Sequence, residues 1–214
     1  MFKSIVLSIA SFATFFFSGA VTAAAIKTDL SKSTFEWKGS KITGSSHNGT
    51  LAIKEAQLDM EGSRITGGKV TIDMTSLVNL DLTDADYNKK LVTHLKSEDF
   101  FDVAKFPEAT LTIKGGMIQK DGTYKVDGDL KIKSETHPVT FMATVAPDRK
   151  SAQTILNIDR TTWAIKYGSG KFFKNLGDKM ISDNMELTVK LAFSEELPGN
   201  SPAAKPSGKT PKKK

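Results

Sequence analysis

Residues 117–126 read Met117-Ile118-Gln119-Lys120-Asp121-Gly122-Thr123-Tyr124-Lys125-Val126, and the Asp-Gly step at their centre decides the fold class. An Asp-Gly pair between two short runs is the strongest local hairpin signal, because both residues tolerate the backbone that a tight reversal requires. A two-residue period extends outward from it. Downstream, Leu130 and Ile132 share one face, then Val139, Phe141, Ala143 and Val145, with polar residues between them. Upstream the same holds for Leu111 and Ile113, for Val70, Ile72 and Met74, for Leu51 and Ile53, and for Phe35 and Trp37. Trp163 and Ile165 repeat it, as do Leu187, Val189, Leu191 and Phe193. Period two with one apolar face marks half-buried antiparallel strands. Asn48-Gly49, Gly67-Gly68 and Gly115-Gly116 add tight bends or bulges. At least eight strands follow, and such a succession makes an all-β sandwich or closed barrel, not a βαβ fold. One helix interrupts it, from Asp84 to about Lys96, with Thr83-Asp84-Ala85-Asp86 as its cap and Tyr87, Leu91 and Leu95 on one face. The aromatic turn Asp99-Phe100-Phe101-Asp102-Val103 follows, and with the helix it could close or flank one mouth of a barrel.

The two ends of the chain differ from this body. Lys3, the apolar run from Ile5 to Phe17 and the small residues ending at Ala25 read as a cleavable secretory signal over residues 1–25. The apolar run is short for a membrane span. The expectation is therefore an exported protein, periplasmic in a bacterium or secreted. Residues 195–214 hold four prolines and five lysines and read as a disordered tail. The body, 26–194, is long enough for a single β domain. The formal charge of +6 divides by segment: +1 from Lys3, +3 from five tail lysines against Glu195 and Glu196, and +2 from 24 basic and 22 acidic residues in the body. A nearly neutral body without a basic stripe argues against nucleic acid. The tail reads equally as a peripheral contact with an anionic envelope or membrane surface, at about 1 kcal/mol per lysine, or as a solubilising end. The chain has no cysteine, which excludes disulfides, zinc–thiolate sites, iron–sulfur clusters and thiol nucleophiles.

Motifs for catalysis are missing from the sequence. His47, His94 and His137 are far apart and lack metal-ligand spacing, so no metal is expected. There is no G-x-S-x-G elbow and no phosphate loop, and no cofactor is implied. Tyr167-Gly168-Ser169-Gly170-Lys171 lacks the strand-to-helix context of a phosphate loop and reads as a flexible hairpin tip near the lumen. His137, before Pro138, reads as extended loop. Two polar residues are candidates for holding a ligand head group. His94 lies on the helix near the mouth, and Arg160 could fork onto a pyrophosphate or carbonyl, or pair with Asp159 at the surface. The apolar set Phe35, Trp37, Leu51, Ile53, Ile72, Leu111, Ile113, Phe141, Trp163 and Phe193 either lines a tunnel or fills a solid core. On composition alone the solid core is favoured, since most small barrels are filled by side chains.

The segments quoted next resemble the YceI-like family of exported, lipocalin-like proteins. They are His47-Asn48-Gly49-Thr50, Gly67-Gly68 through Met74 with Ser76, and His94-Leu95-Lys96-Ser97 running through Asp99-Phe100-Phe101-Asp102 into Lys105-Phe106-Pro107 and Ala109-Thr110. Gly128-Asp129-Leu130, Pro138-Val139, Asp159-Arg160 with Trp163, and Tyr167-Gly168-Ser169-Gly170 complete the set. One position departs: where many members carry His-x-Gly after the first strand, this chain has Trp37-Lys38-Gly39. The resemblance implies an eight-stranded antiparallel barrel with a long apolar interior, and it turns the solid core into a tunnel. It also implies a non-enzymatic protein whose partner is a polyisoprenoid or similar long-chain amphiphile, such as an isoprenoid quinone. Two alternatives stay open: an enzyme of isoprenoid or quinone metabolism using the same tunnel, and an envelope stress or interaction protein with an incidental cavity.

Overall fold

Asp121-Gly122 forms its hairpin with a loop of three residues. The Gln119 N–H donates to the Thr123 carbonyl at 2.7 Å, Gly122 takes φ +84°, and the Asp121 carboxylate accepts from the Thr123 N–H at 3.0 Å. The computed structural model describes residues 24–198. It contains β1 (Ala24–Lys41), β2 (Ser46–Glu61), β3 (Arg64–Asn79), α1 (Ala85–Lys96), β4 (Glu108–Ile118), β5 (Tyr124–Ile132), β6 (Glu135–Val145), β7 (Ser151–Asp159) and β8 (Ile181–Phe193). Each strand pairs antiparallel with the next, and β8 returns to β1, closing an eight-stranded barrel. Closure leaves no free sheet edge and surrounds a single interior.

Several local expectations are corrected. The seventh strand is Ser151–Asp159, and Trp163 sits in a 3-10 helix, Arg160–Trp163, capped by Asp159. His137 and Pro138 belong to β6, not to a loop. Gly49 is no turn residue: it lies in β2 under the Trp37 ring, where a Cβ would fall 1.9 Å from the Val78 carbonyl oxygen. The reversal before it uses Gly44 at φ +94°. Tyr87, expected on the same face of α1 as Leu91 and Leu95, is 64% exposed, whereas Leu95 is buried.

One ladder is much shorter than the rest. β6 and β7 register over only three pairs, Ala143–Thr154, Thr144–Gln153 and Val145–Ala152, while every other neighbouring pair registers over at least seven. Pro138 lies in the stretch of β6 that pairs only with β5, where a residue without an N–H is tolerated. Trp163 covers that stretch. Its indole N–H donates to the Leu130 carbonyl at 2.9 Å and its ring meets His137 edge-on.

The antiparallel order sends the β1–β2, β3–α1–β4, β5–β6 and β7–β8 connections to one end of the barrel. The β2–β3, β4–β5 and β6–β7 turns go to the other, with both described termini. At that second end Leu197 is buried beside Ile26, Met60, Tyr124 and Phe193. Arg149 holds it there: its Nε donates to the Leu197 carbonyl at 2.8 Å, its Nη2 donates to the Pro198 carbonyl, and its own carbonyl accepts from the Leu197 N–H at 2.9 Å. The packed body thus extends past Ser194, the expected domain boundary. Ala24 and Ala25, assigned by sequence to the end of the signal, open β1 opposite Met60 and Asp59. The rest of the expected signal (1–23) and most of the expected tail (199–214) lie outside the described residues.

Candidate functional site

The barrel interior is not filled. It holds a cavity of about 140 Å³, roughly ten times what a single water requires. The lining is apolar apart from Thr110, Gln153 and Thr154. Lining residues on β3 run from Ile65 to Leu77, about 40 Å of strand, or about 30 Å along the axis at the usual tilt.

Of the ten residues expected to face it, Phe35, Trp37, Leu51, Ile72, Leu111, Ile113, Phe141 and Phe193 line the lumen. Ile53 and Trp163 do not. Ile53 packs against the core beside a register shift between Ile53 and Glu55, and Trp163 plugs the short ladder from its 3-10 helix. Leu58, Leu77, Phe101 and Leu156 line the lumen without having been expected there. Bulges explain the first two. Between Ala52–Asp73 and Thr50–Val78, residues 74–77 of β3 oppose Leu51 alone, so the alternation that fits Val70, Ile72 and Met74 changes phase before Leu77. Leu156 is masked by its neighbour Ile155, which points outward and is 52% exposed.

A second space of about 340 Å³ opens at the end that carries α1. Trp37, Phe101 and Met185 line both spaces and stand between them. Beyond them the wall stays mostly apolar but adds polar side chains, Lys41, His47, His94, Tyr167, Lys179, Ser182 and Asn184 among them. A long apolar lumen beside a mouth-side vestibule with a few polar side chains suits a molecule with a greasy chain and a small polar end.

The two head-group candidates both reach this vestibule, in different conditions. His94 is half-buried on the last turn of α1, its Nε2 3.2 Å from the Asp99 carboxylate and its ring edge-on to Phe100 and Tyr167. Arg160 is 4% exposed, and its guanidinium is spent on the fold. Its Nε donates to the Ser182 carbonyl at 3.0 Å, Nη1 to Ile165 at 2.7 Å and Nη2 to Ile181 at 3.3 Å, with the Asp183 carboxylate 3.7 Å away. Burial disfavours its charged form, and Asp183 and Asp159 partly restore it. Arg160 therefore ties the β7–β8 connection to β8; its expected surface partner, Asp159, is bonded to Lys171 and Thr161. Partial burial pushes the Asp159 carboxyl up, but those two partners outweigh it and hold it below the usual carboxylate range.

The other side of the mouth is fixed by a polar network at the foot of α1. Asp81 accepts from His47 Nδ1 at 2.7 Å, from the Asn48 N–H at 2.9 Å and from Asn79. These bonds overcome its burial and keep its carboxyl low. Asn88 of α1 donates to the Asn79 and Leu82 carbonyls, joining the helix to the end of β3. All three histidines face carboxylates: His47 Asp81, His94 Asp99 and His137 Glu135. Among the described residues no group of three His, Cys, Asp or Glu could hold a metal ion.

Known proteins share this architecture. A UPF0312 protein of Pseudomonas putida is 30% identical over 109 residues, 51% of this chain and 54% of the relative; the chain spans about half the length of the curated relatives it matches. The crystal structure of BcnA from Burkholderia cenocepacia has the same fold, with a TM-score of 0.60, 24% identity and coverage of 77% of this chain and 98% of that one. So does a polyisoprenoid binding domain from Saccharophagus degradans implicated in plant cell wall breakdown, with a TM-score of 0.53, 13% identity and coverage of 80% and 98%. Residues 25–193 match the YceI-like domain, and on that match, with a closed barrel to correspond, the chain belongs to the YceI-like family.

Proposed function

We propose that this protein is a non-enzymatic lipid carrier of the cell envelope, exported by its N-terminal segment. Its lumen holds a polyisoprenoid or a similar long-chain amphiphile such as an isoprenoid quinone. The observation that carries the reading is an apolar lumen lying end to end with a mouth-side vestibule that adds polar side chains, the two sharing Trp37, Phe101 and Met185 as lining. Each CH₂ withdrawn from water into the lumen contributes about 0.8 kcal/mol without a directional partner, so a chain can be held without a specific polar site along its length. The polyisoprenoid binding domain of Saccharophagus degradans, with the same fold, supports this class of cargo. His94 and the vestibule lysines Lys41 and Lys179 would face the polar end, whereas Arg160 contributes by holding the wall.

Native mass spectrometry of gently purified protein tests the proposal. A bound species whose mass series is spaced by isoprene units is expected, and delipidated protein should reload from long-chain isoprenoids. Ile72→Glu, which buries an unpaired carboxylate in the lumen, should abolish loading; circular dichroism checks that the barrel persists. A barrel that is empty as purified and takes up no long-chain lipid overturns the reading.

A further inference from the structure

We propose that the connection between β7 and β8, over residues 166–179, is a membrane-docking element that seats the open end of the barrel on an anionic bilayer. Phe172 and Phe173 are adjacent and solvent-facing, 48% and 47% exposed, although a loop tip has no folding reason to carry two phenylalanines. Around them the segment holds four lysines and one aspartate. Lys166, Lys174 and Lys179 are exposed, and the Lys166 ammonium lies 5.0 Å from the Phe172 ring centroid. An aromatic pair inside a cationic collar matches an interface of anionic headgroups over hydrocarbon.

The loop presents these residues from a fixed base. Ser169 is fully buried, and its carbonyl accepts from the Phe172 and Phe173 N–H groups at 3.1 and 3.0 Å. Gly168, at φ +65°, lies so close to Ile181 that a Cβ would come within 2.9 Å of it. Lys171 is tied to Asp159 and Asp183. The Tyr-Gly-Ser-Gly-Lys stretch, which the sequence suggested was a flexible tip, is thus the anchor that projects Phe172 and Phe173. Tyr167 and Lys179 also line the vestibule, so a bilayer that receives the loop meets the mouth of the lumen. On and around α1 the exposed charges are mixed, Asp84, Asp86, Glu98 and Asp99 with Lys89 and Lys90, whereas the loop is predominantly cationic, which favours the loop side against anionic lipid.

Co-sedimentation of the full chain with vesicles reads this directly and does not require a loaded barrel, so it is independent of the cargo proposed above. The chain should bind vesicles of phosphatidylcholine with phosphatidylglycerol and bind pure phosphatidylcholine much less, with affinity falling as salt rises. The double variant Phe172→Ser/Phe173→Ser should lose affinity for the anionic vesicles by at least about tenfold with an unchanged thermal midpoint. The lysine-rich stretch beyond residue 198 is present in both proteins, so any difference between them belongs to the loop. Equal binding by variant and wild type overturns the proposal, as does an absence of binding to either vesicle. Self-association without vesicles that disappears in the variant also overturns it, by making the patch a contact between copies of the chain.

Discussion

The two ends of the barrel are closed in opposite ways. At the end with the short turns, the chain's own exit seals the interior: Leu197 lies among Ile26, Met60, Tyr124 and Phe193, and Arg149 grips the backbone of Leu197 and Pro198. At the other end a helix and a long connection stand around the opening, leaving the vestibule between them. One end is sealed by apolar packing, with one arginine holding the backbone of the plug. The other is held by hydrogen bonds and ion pairs at Asp81, Asp159, Lys171 and Arg160. A mouth must be able to change, and a polar frame yields to a local perturbation more readily than a packed plug.

Arg160→Ala should break the contrast most severely. It strands the carbonyls of Ser182, Ile165 and Ile181 and removes the charge facing Asp183, costing about 3–5 kcal/mol. Urea unfolding measures the loss, and limited proteolysis should place new cleavage between residues 164 and 180. A variant that keeps wild-type stability and loses only ligand affinity would return Arg160 to a head-group role. Leu197→Ala acts at the sealed end and should cost about 2 kcal/mol, near the low end for a buried leucine because the terminal segment can undock. An apolar dye that enters the far end of the variant, but not of the wild type, checks that the plug was the seal. The smallest effect comes from acid. The Asp81 and Asp159 carboxyls are held below the usual range, so their stabilisation is complete above about pH 4 and declines as pH falls through their folded values. At the sealed end, Asp29 and Asp121 are also lowered, but they lie on the outer turns and strand ends, and Leu197 of the plug carries no titratable group. Trp37 and Trp163, the chain's two tryptophans, both lie toward the mouth. Their emission should shift below pH 4 before global unfolding, and coincident transitions would show that the ends are equally robust.

The barrel was legible in the sequence because alternation and turn chemistry are local properties. Asp121-Gly122 formed its hairpin, and α1 begins at the expected cap, with Asp84 accepting from the Asp86 and Tyr87 N–H groups. The errors occur where register or tertiary contact overrides a local pattern. Trp163 and Ile165 alternate like strand residues but flank a 3-10 turn whose conformation depends on the distant partners Leu130 and Ser182. Leu77 was hidden by a bulge that can be seen only when β2 is laid against β3. Arg160 looked available because a sequence does not record that three carbonyls converge on it. The vestibule was least legible of all, since its walls come from β1, α1 and the β7–β8 connection, far apart in the chain.

The three-pair ladder between β6 and β7 gives the barrel one mechanical seam. Seven of its eight joints are long, so thermal fluctuations in girth are expected to concentrate where few ladder hydrogen bonds resist them and where the Trp163 side chain covers the gap. A cylinder hinged along one line can widen without breaking its other ladders. For the cargo proposed above, that line is where branches or uneven thickness would be accommodated, which a uniformly stitched barrel of the same diameter would refuse.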